Sequence, residues 1–149
     1  LGFRLLVVGE GPERPMLEAL AAELGLAGST LFAGHLPDPA AAYRAMDVFA
    51  LSSDTEQMPF SVMEAMASGV AVAATEVGDL RAMLPAEGLA HLAAKEDAAL
   101  AAALQPLIVD AGLRARLGRL GRAKAERDYD QDRMFGAYAA LIEGGAPAG

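Results

Sequence analysis

The stretch from Val48 to Thr75 constrains the fold of this chain more than any other part of it. The apolar run Val48-Phe49-Ala50-Leu51 has the length of a strand and opens into a polar loop, Ser52 to Phe60, with Pro59 near its end. A short helical pattern from Ser61 to Ser68 stops at Gly69, and Val70-Ala71-Val72-Ala73-Ala74-Thr75 forms a second apolar run. The pattern predicts a β-loop-α-β unit. In open parallel sheets, ligands sit at the loop leaving the carboxyl end of a strand and at the first turn of the next helix. Two carboxylates flank that crevice, Glu56 in the loop and Glu64 in the helix.

The same order recurs along the chain. Phe3 to Val8 reads as a strand that turns through Gly9-Glu10-Gly11-Pro12 into a helix with Leu17, Leu20, Ala21 and Leu24 on one face, ending at Gly25. The Gly-x-Gly turn has the makings of a phosphate cradle. It lacks the third glycine of the dinucleotide fingerprint, so a plain tight turn stands beside that use. Thr30 to Phe32 is a short strand, and Asp38 with Pro39 starts a helix over Ala40 to Met46. Leu80 to Leu84 is a short helix closed by Pro85, and a brief strand is expected around Ala90 to Leu92. Asp97, Asp110 and Asp130 are each placed to cap a helix, over Ala98 to Val109, Ala111 to about Arg127, and Gln131 to Glu143. Residues 144–149 form a tail without pattern. The strands are mostly continuous apolar runs, as in sheets covered on both faces, and the expected class is a doubly wound α/β parallel sheet.

Composition narrows the partners. At 149 residues and 54% hydrophobic, the chain suits one globular domain with a sizeable core. A formal net charge of −8 disfavours nucleic acid, whose backbone calls for clustered Lys and Arg. The basic residues from Arg114 to Arg133 alternate with Leu113, Leu117 and Leu120. They suit either an anionic surface or a solvated helix face, and the Glu and Asp after Lys124 favour the second. Without cysteine there is no disulfide, thiolate metal site or Cys nucleophile. His35, at a strand end beside Gly34, has neither a Cys nor an adjacent carboxylate to suggest metal binding, and His91 is expected in an ordinary strand. No apolar run approaches the ~20 residues that cross a bilayer. The expected setting is the cytoplasm or the inner face of the membrane, with a peripheral contact through an absent segment left open.

The chemistry of the central segment follows from its geometry. With Pro59 close to the first helical position, the amides from about Met58 to Ser61 point into the crevice, where the positive end of the helix favours an anion such as a diphosphate. Glu64, one turn further on, can accept hydrogen bonds from two neighbouring hydroxyls, and Glu56 from hydroxyls on the group beyond the phosphates. Ser61-Val62-Met63-Glu64 equally fits a capping box, with Glu64 folded back on the Ser61 N–H and Glu56 a bare loop charge.

The segment resembles the signature of retaining glycosyltransferases of family 4, the glycosyl transferases group 1. There, two glutamates are separated by seven intervening residues and the second is followed by Ala-Met-Ala-x-Gly, as in Glu56 and Glu64-Ala65-Met66-Ala67-Ser68-Gly69. Gly9-Glu10-Gly11-Pro12, Leu31-Phe32-Ala33-Gly34, Ala45-Met46-Asp47-Val48 and Val77-Gly78-Asp79 resemble further family motifs, so the similarity covers nearly the whole chain.

The resemblance implies two Rossmann-like halves with the active site in the cleft between them, a GT-B architecture. This chain is similar to most of the carboxyl-terminal, donor-binding half. Residues 1–128 would be the nucleotide-sugar-binding domain, truncated at its amino end since the chain opens at Leu1 almost directly on a strand. Residues 129–143 would be a C-terminal helix and 144–149 a tail. By motif, Glu56 is the candidate catalytic carboxylate, holding hydroxyls of the donor hexose, and Glu64 holds the ribose. The backbone of Gln57, Met58, Pro59 and Phe60 meets the sugar and distal phosphate, and that of Leu36 the base. The implied activity moves a hexose with retention from a nucleotide-diphosphate-sugar to an acceptor hydroxyl, in polysaccharide or glycoconjugate synthesis, without a metal or other cofactor.

Two departures qualify this. Gln57-Met58 stands where the family commonly has Gly-Phe, and the family's Arg and Lys that neutralise the leaving diphosphate belong ahead of Leu1. The chain by itself, without them and without its partner N-terminal domain, is expected to bind donor but not to turn it over. A non-catalytic nucleotide-binding module and a sugar-nucleotide epimerase of related fold are the alternatives.

Overall fold

The structure, a computed structural model, describes residues 2–144. Its residues form two compact units, one ending at Ala42 and the other beginning at Tyr43.

In the first unit, β1 (Leu5–Val8) pairs in parallel with β2 (Thr30–Gly34), joined by helix α1 (Arg14–Glu23) and a 3-10 turn over Ala27–Ser29. Gly25 ends α1 in the left-handed conformation, with φ at +70°. The Gly25 N–H reaches Ala22 O and that of Leu26 reaches Ala21 O, the paired bonds of a Schellman cap. Only Ala21 of the expected apolar face is buried, while Leu17, Leu20 and Leu24 are exposed. The described part of this unit has two strands and one long helix, too little for that whole stripe to cover. The Gly9–Pro12 turn is spanned by side chains. Arg14 binds Glu10 at 2.6 Å and Glu18 at 2.8 Å, donates to Phe32 O, and places its guanidinium 5.9 Å from the Phe32 ring centre.

The second unit begins within helix α2 (Ala40–Ala45), where the Asp38 side chain accepts from the Ala40 N–H at 2.9 Å. Three parallel strands come next in the order β3 (Val48–Leu51), β4 (Ala71–Thr75), β5 (Leu92–Ala93). Helix α3 (Phe60–Ala67) connects the first two, and α4 (Leu80–Met83) with a 3-10 segment over Ala86–His91 connects the last two. Helices α5 (Asp97–Val109), α6 (Ala111–Asp128) and α7 (Gln131–Ile142) complete the described chain. The tail expected over 144–149 lies, beyond Gly144, outside the described residues. Among the described residues, no single helix is long and apolar enough to cross a membrane.

β4 is the axis of this unit, and every one of its residues is buried. Alternation sends Val72 and Ala74 to one face, against Val62 and Met66 of α3 and Leu80 and Met83 of α4. It sends Ala71 and Ala73 to the other, against Leu107 of α5 and Leu117 of α6. Met66, Leu80, Met83, Leu107 and Val62 are the largest fully buried side chains, each worth about 1.5–3 kcal/mol relative to an exposed one. β1, β2 and β3 are only partly buried, so continuous burial on both faces holds for β4 and not for the others.

Two local expectations give way. The segment Ala90-His91 is 3-10 rather than strand, and β5 starts at Leu92. His91 is buried there with Nδ1 2.8 Å from Ala103 O, and because a carbonyl only accepts, Nδ1 carries the proton. Asp97 is the first residue of α5, with Glu96 in the cap position and no side-chain bond made there. Asp110 and Asp130 do cap, accepting at 2.9 Å from the N–H groups of Leu113 and Arg133.

Candidate functional site

Helix α3 fixes one wall of the candidate site. Its cap position is Pro59, in extended conformation with φ −66° and ψ 120°, two residues before the Ser61 that a capping box would need there. Ser61 therefore sits inside the helix and the capping box does not form. Glu64 instead accepts a hydrogen bond at Oε2 from the Tyr43 hydroxyl, 2.8 Å away, and the rest of its side chain is exposed. Burial first, and then the bond to Glu64, push the Tyr43 phenol well above its usual range. Its ring is 7% exposed and tilts against Phe49 of β3 at 5.8 Å.

The far end of α3 is set by Gly69 at φ +74°, with N–H bonds from Gly69 to Met66 O and from Val70 to Ala65 O. α6 crosses this turn at close range. A Cβ on Gly118 would lie 2.0 Å from Gly69 O, and one on Gly121 would touch Met66 at 3.5 Å. These two buried glycines let α6 press α3 into place.

The loop from Ser52 to Pro59 leaves the carboxyl end of β3 and is fastened to the end of β4 and to the segments just beyond β4 and β5. Thr75, the last residue of β4, donates its hydroxyl to Ser53 O at 2.6 Å. The Asp79 N–H donates to Gln57 O at 2.8 Å, and Lys95, just beyond β5, donates to Asp54 O at 3.1 Å. Gly78 lies under the loop with φ +53°, where a Cβ would come within 2.2 Å of Gln57 O and 2.6 Å of Glu56 O. Glu56 is half-buried, and its Oε1 accepts from Ser53 Oγ at 2.8 Å.

Each glutamate thus has one oxygen held by a neighbouring hydroxyl, with its other oxygen uncommitted to any described protein group. Gln57, Met58 and Phe60 are exposed, and Pro59 is buried. Pro59 has no N–H, so it shapes the turn but donates nothing. The first two helical N–H groups, those of Phe60 and Ser61, have no acceptor within the helix, as at any helix start.

Leu36 lies just after β2 and is partly buried in the unit that ends at Ala42, whereas the loop and α3 belong to the other unit. His35 is exposed beside Gly34. Among the described residues, no three His, Asp or Glu side chains gather as a metal site would require. The arginines of α6 are mostly spent on local partners. Arg114 donates to the last carbonyls of α5, at Leu107 and Ile108, Arg116 lies 3.4 Å from Glu87, and Arg122 binds Glu126. Lys124 and Arg127 both hold Asp128, whose carboxyl Arg127 first and then Lys124 bring down to about 2.

Tyr43, Ser53, Thr75 and Lys95 were not marked by sequence reasoning, and Gly78 was marked only as part of a family-like turn. The Ser53-x-x-Glu56 spacing is a local signal that a turn analysis would find. The others act across distances in the chain that no short motif records.

Parallel strands, an acidic loop at their carboxyl ends and a glutamate-bearing helix define the α/β, Rossmann-like fold of GT-B glycosyltransferases. Residues 2–110 match the model of the family described as glycosyl transferases group 1, and the chain belongs to that family. It is 30% identical over 142 residues to the lipopolysaccharide core biosynthesis glycosyltransferase LpsE of Rhizobium meliloti, covering 95% of this chain and 42% of that protein. Among solved structures it is similar to sucrose-phosphate synthase from Thermosynechococcus elongatus, with a TM-score of 0.82 and 30% identity over 95% of this chain and 39% of the other. It is also similar to the C-terminal domain of the group 1 protein LpcC from Francisella tularensis, with a TM-score of 0.75 and 28% identity over 86% and 70%. The chain spans less than half the length of the curated relatives it matches.

Proposed function

We propose that this chain is the donor-binding half of a retaining glycosyltransferase that takes a hexose from a nucleotide-diphosphate-sugar. The observation that carries the proposal is the state of Glu64. It is not consumed as a helix cap, and it presents an uncommitted carboxylate oxygen one turn from an amide-bearing helix start. The amides of Phe60 and Ser61, with the helix dipole behind them, suit the diphosphate. Glu64 suits the ribose hydroxyls, and Glu56, braced by Ser53, suits hydroxyls of the hexose and is the proposed catalytic carboxylate.

In the transfer, the bond from the anomeric carbon to the diphosphate breaks and a bond to the acceptor oxygen forms on the same face. The acceptor proton leaves with the diphosphate. No metal is required in this scheme, so chelator leaves binding unchanged. The charge on the departing diphosphate calls for cations, because electrostatic stabilisation is usually the largest catalytic contribution. The resemblance puts these ahead of Leu1, and the 149 residues alone are expected to bind donor without transferring it. The relation to a lipopolysaccharide core enzyme supports a role in cell-surface glycoconjugate synthesis.

A thermal-shift panel of UDP-, GDP- and ADP-sugars tests the reading, since a ligand bound only to the folded chain raises its stability. One of them is expected to stabilise the chain and to lose that effect in Glu64→Ala. No stabilisation by any of the three, or an undiminished effect in the variant, rules the reading out.

A further inference from the structure

We propose that Tyr43 is a positioning residue that sets Glu64 for the ribose of the donor and thereby makes the site select ribonucleotides over deoxyribonucleotides. This rests on the role given to Glu64 above and extends it to a residue 21 positions upstream.

A glutamate on an exposed helix face has three side-chain torsions to settle before it can receive two adjacent hydroxyls. The Tyr43 hydroxyl removes that freedom by donating to Oε2 at 2.8 Å, which fixes the carboxylate plane and leaves Oε1 as the open acceptor. Tyr43 can impose this because it is itself immobile. Its ring is buried in the core with Val62, Ala65 and Met66 of α3, and lies against Phe49 of β3. Ala65 and Met66 come directly after Glu64, so the residue that directs the carboxylate is packed on the helix that carries it. Burial and the bond to Glu64 hold the phenol protonated far into alkaline pH, so the donor is always present.

The experiment compares the affinities of UDP, GDP and ADP with those of their 2′-deoxy counterparts for the 149-residue chain, by calorimetry, in wild type, Tyr43→Phe and Glu64→Ala. Tyr43→Phe keeps the ring and its packing and deletes only the hydroxyl. Wild type is expected to prefer the ribonucleotide of whichever base it binds by about tenfold, the scale of one hydrogen bond to a charged group. Glu64→Ala is expected to bring that ratio close to one, and Tyr43→Phe to bring it below about threefold while its unfolding remains cooperative. If Glu64→Ala erases the preference and Tyr43→Phe retains it, the positioning role is overturned and the ribose role of Glu64 survives. If Glu64→Ala leaves the preference intact, the reading of Glu64 fails, and the inference about Tyr43 fails with it. Should Tyr43→Phe unfold, Glu64→Gln serves in its place. It keeps an amide oxygen for Tyr43 and so turns an NH2 donor, in place of an acceptor, toward the ribose, and a full wild-type preference there overturns the proposal.

Discussion

Gly118 of α6 passes so close to Gly69, at the end of α3, that a Cβ at position 118 would lie 2.0 Å from the Gly69 carbonyl oxygen. The neighbour is backbone, held by the cap that ends α3, so it cannot step aside as a side chain would. Gly118→Ala is therefore expected to destabilise the chain by about 1–3 kcal/mol, even though alanine is the better helix former. Denaturant unfolding measures this. An unchanged or raised midpoint would show that α6 shifts freely against α3.

The Glu56 loop depends on a hydroxyl donated from inside the sheet. Thr75→Val keeps the branched shape at a buried position and removes the donor that holds Ser53 O. The expected loss is about 1–2 kcal/mol in unfolding free energy. Nucleotide-sugar affinity is expected to fall by more than free-nucleotide affinity, because the loop faces the proposed hexose. Equal losses for both would place the hexose elsewhere.

Tyrosinate absorbance gives a direct view of the pair at Glu64. The chain has three tyrosines, at positions 43, 129 and 138. Tyr43 is expected to titrate last, because burial and then Glu64 disfavour its anion. Glu64→Gln brings that late step to lower pH without returning it to the usual value, since the burial remains. With the folded value above the unfolded one of about 10, the folded state holds the proton more tightly. Stability from this group is complete below about pH 10 and falls as the pH rises past it. A late step unmoved by Glu64→Gln would mean that the two side chains are not bonded in solution.

At the acid end, Asp128 is the group to follow. Arg127 and then Lys124 lower its carboxyl to about 2 in the folded chain, against about 3.9 unfolded. The unfolded state thus binds the proton more readily between those values. The contribution is complete above about pH 4 and disappears as the pH falls towards 2. Asp128→Asn is expected to flatten that part of the pH–stability curve, and added salt to do the same in the parent chain because the pairs face solvent. A curve unchanged by the substitution would remove Asp128 from the account.

How far the sequence reveals this arrangement depends on how far apart the interacting groups lie. The strand Val48–Leu51, the stop at Gly69 and the caps at Asp110 and Asp130 are legible because each is decided within a few residues. The Ser61–Glu64 box fails because Pro59, already extended, takes the cap position, and because a hydroxyl from position 43 engages the carboxylate instead. The exposed stripe of α1 shows a third limit, since periodicity tells which residues share a face but not whether anything covers it. The family signature located both glutamates and marked the Val77-Gly78-Asp79 turn; it carried no sign that Thr75, Asp79 and Lys95 hold the loop of the first glutamate through bonds that only the folded sheet edge brings together.

The loop carrying Glu56 is anchored through its main-chain carbonyls at Ser53, Asp54 and Gln57, whereas the side chains of Met58 and Phe60 stand out in solvent. Rigidity and variability are thus assigned to different atoms of one short segment. The two projecting side chains can therefore be exchanged without disturbing the main chain anchored beneath them, and under the proposed donor reading this is where a choice of sugar would be written.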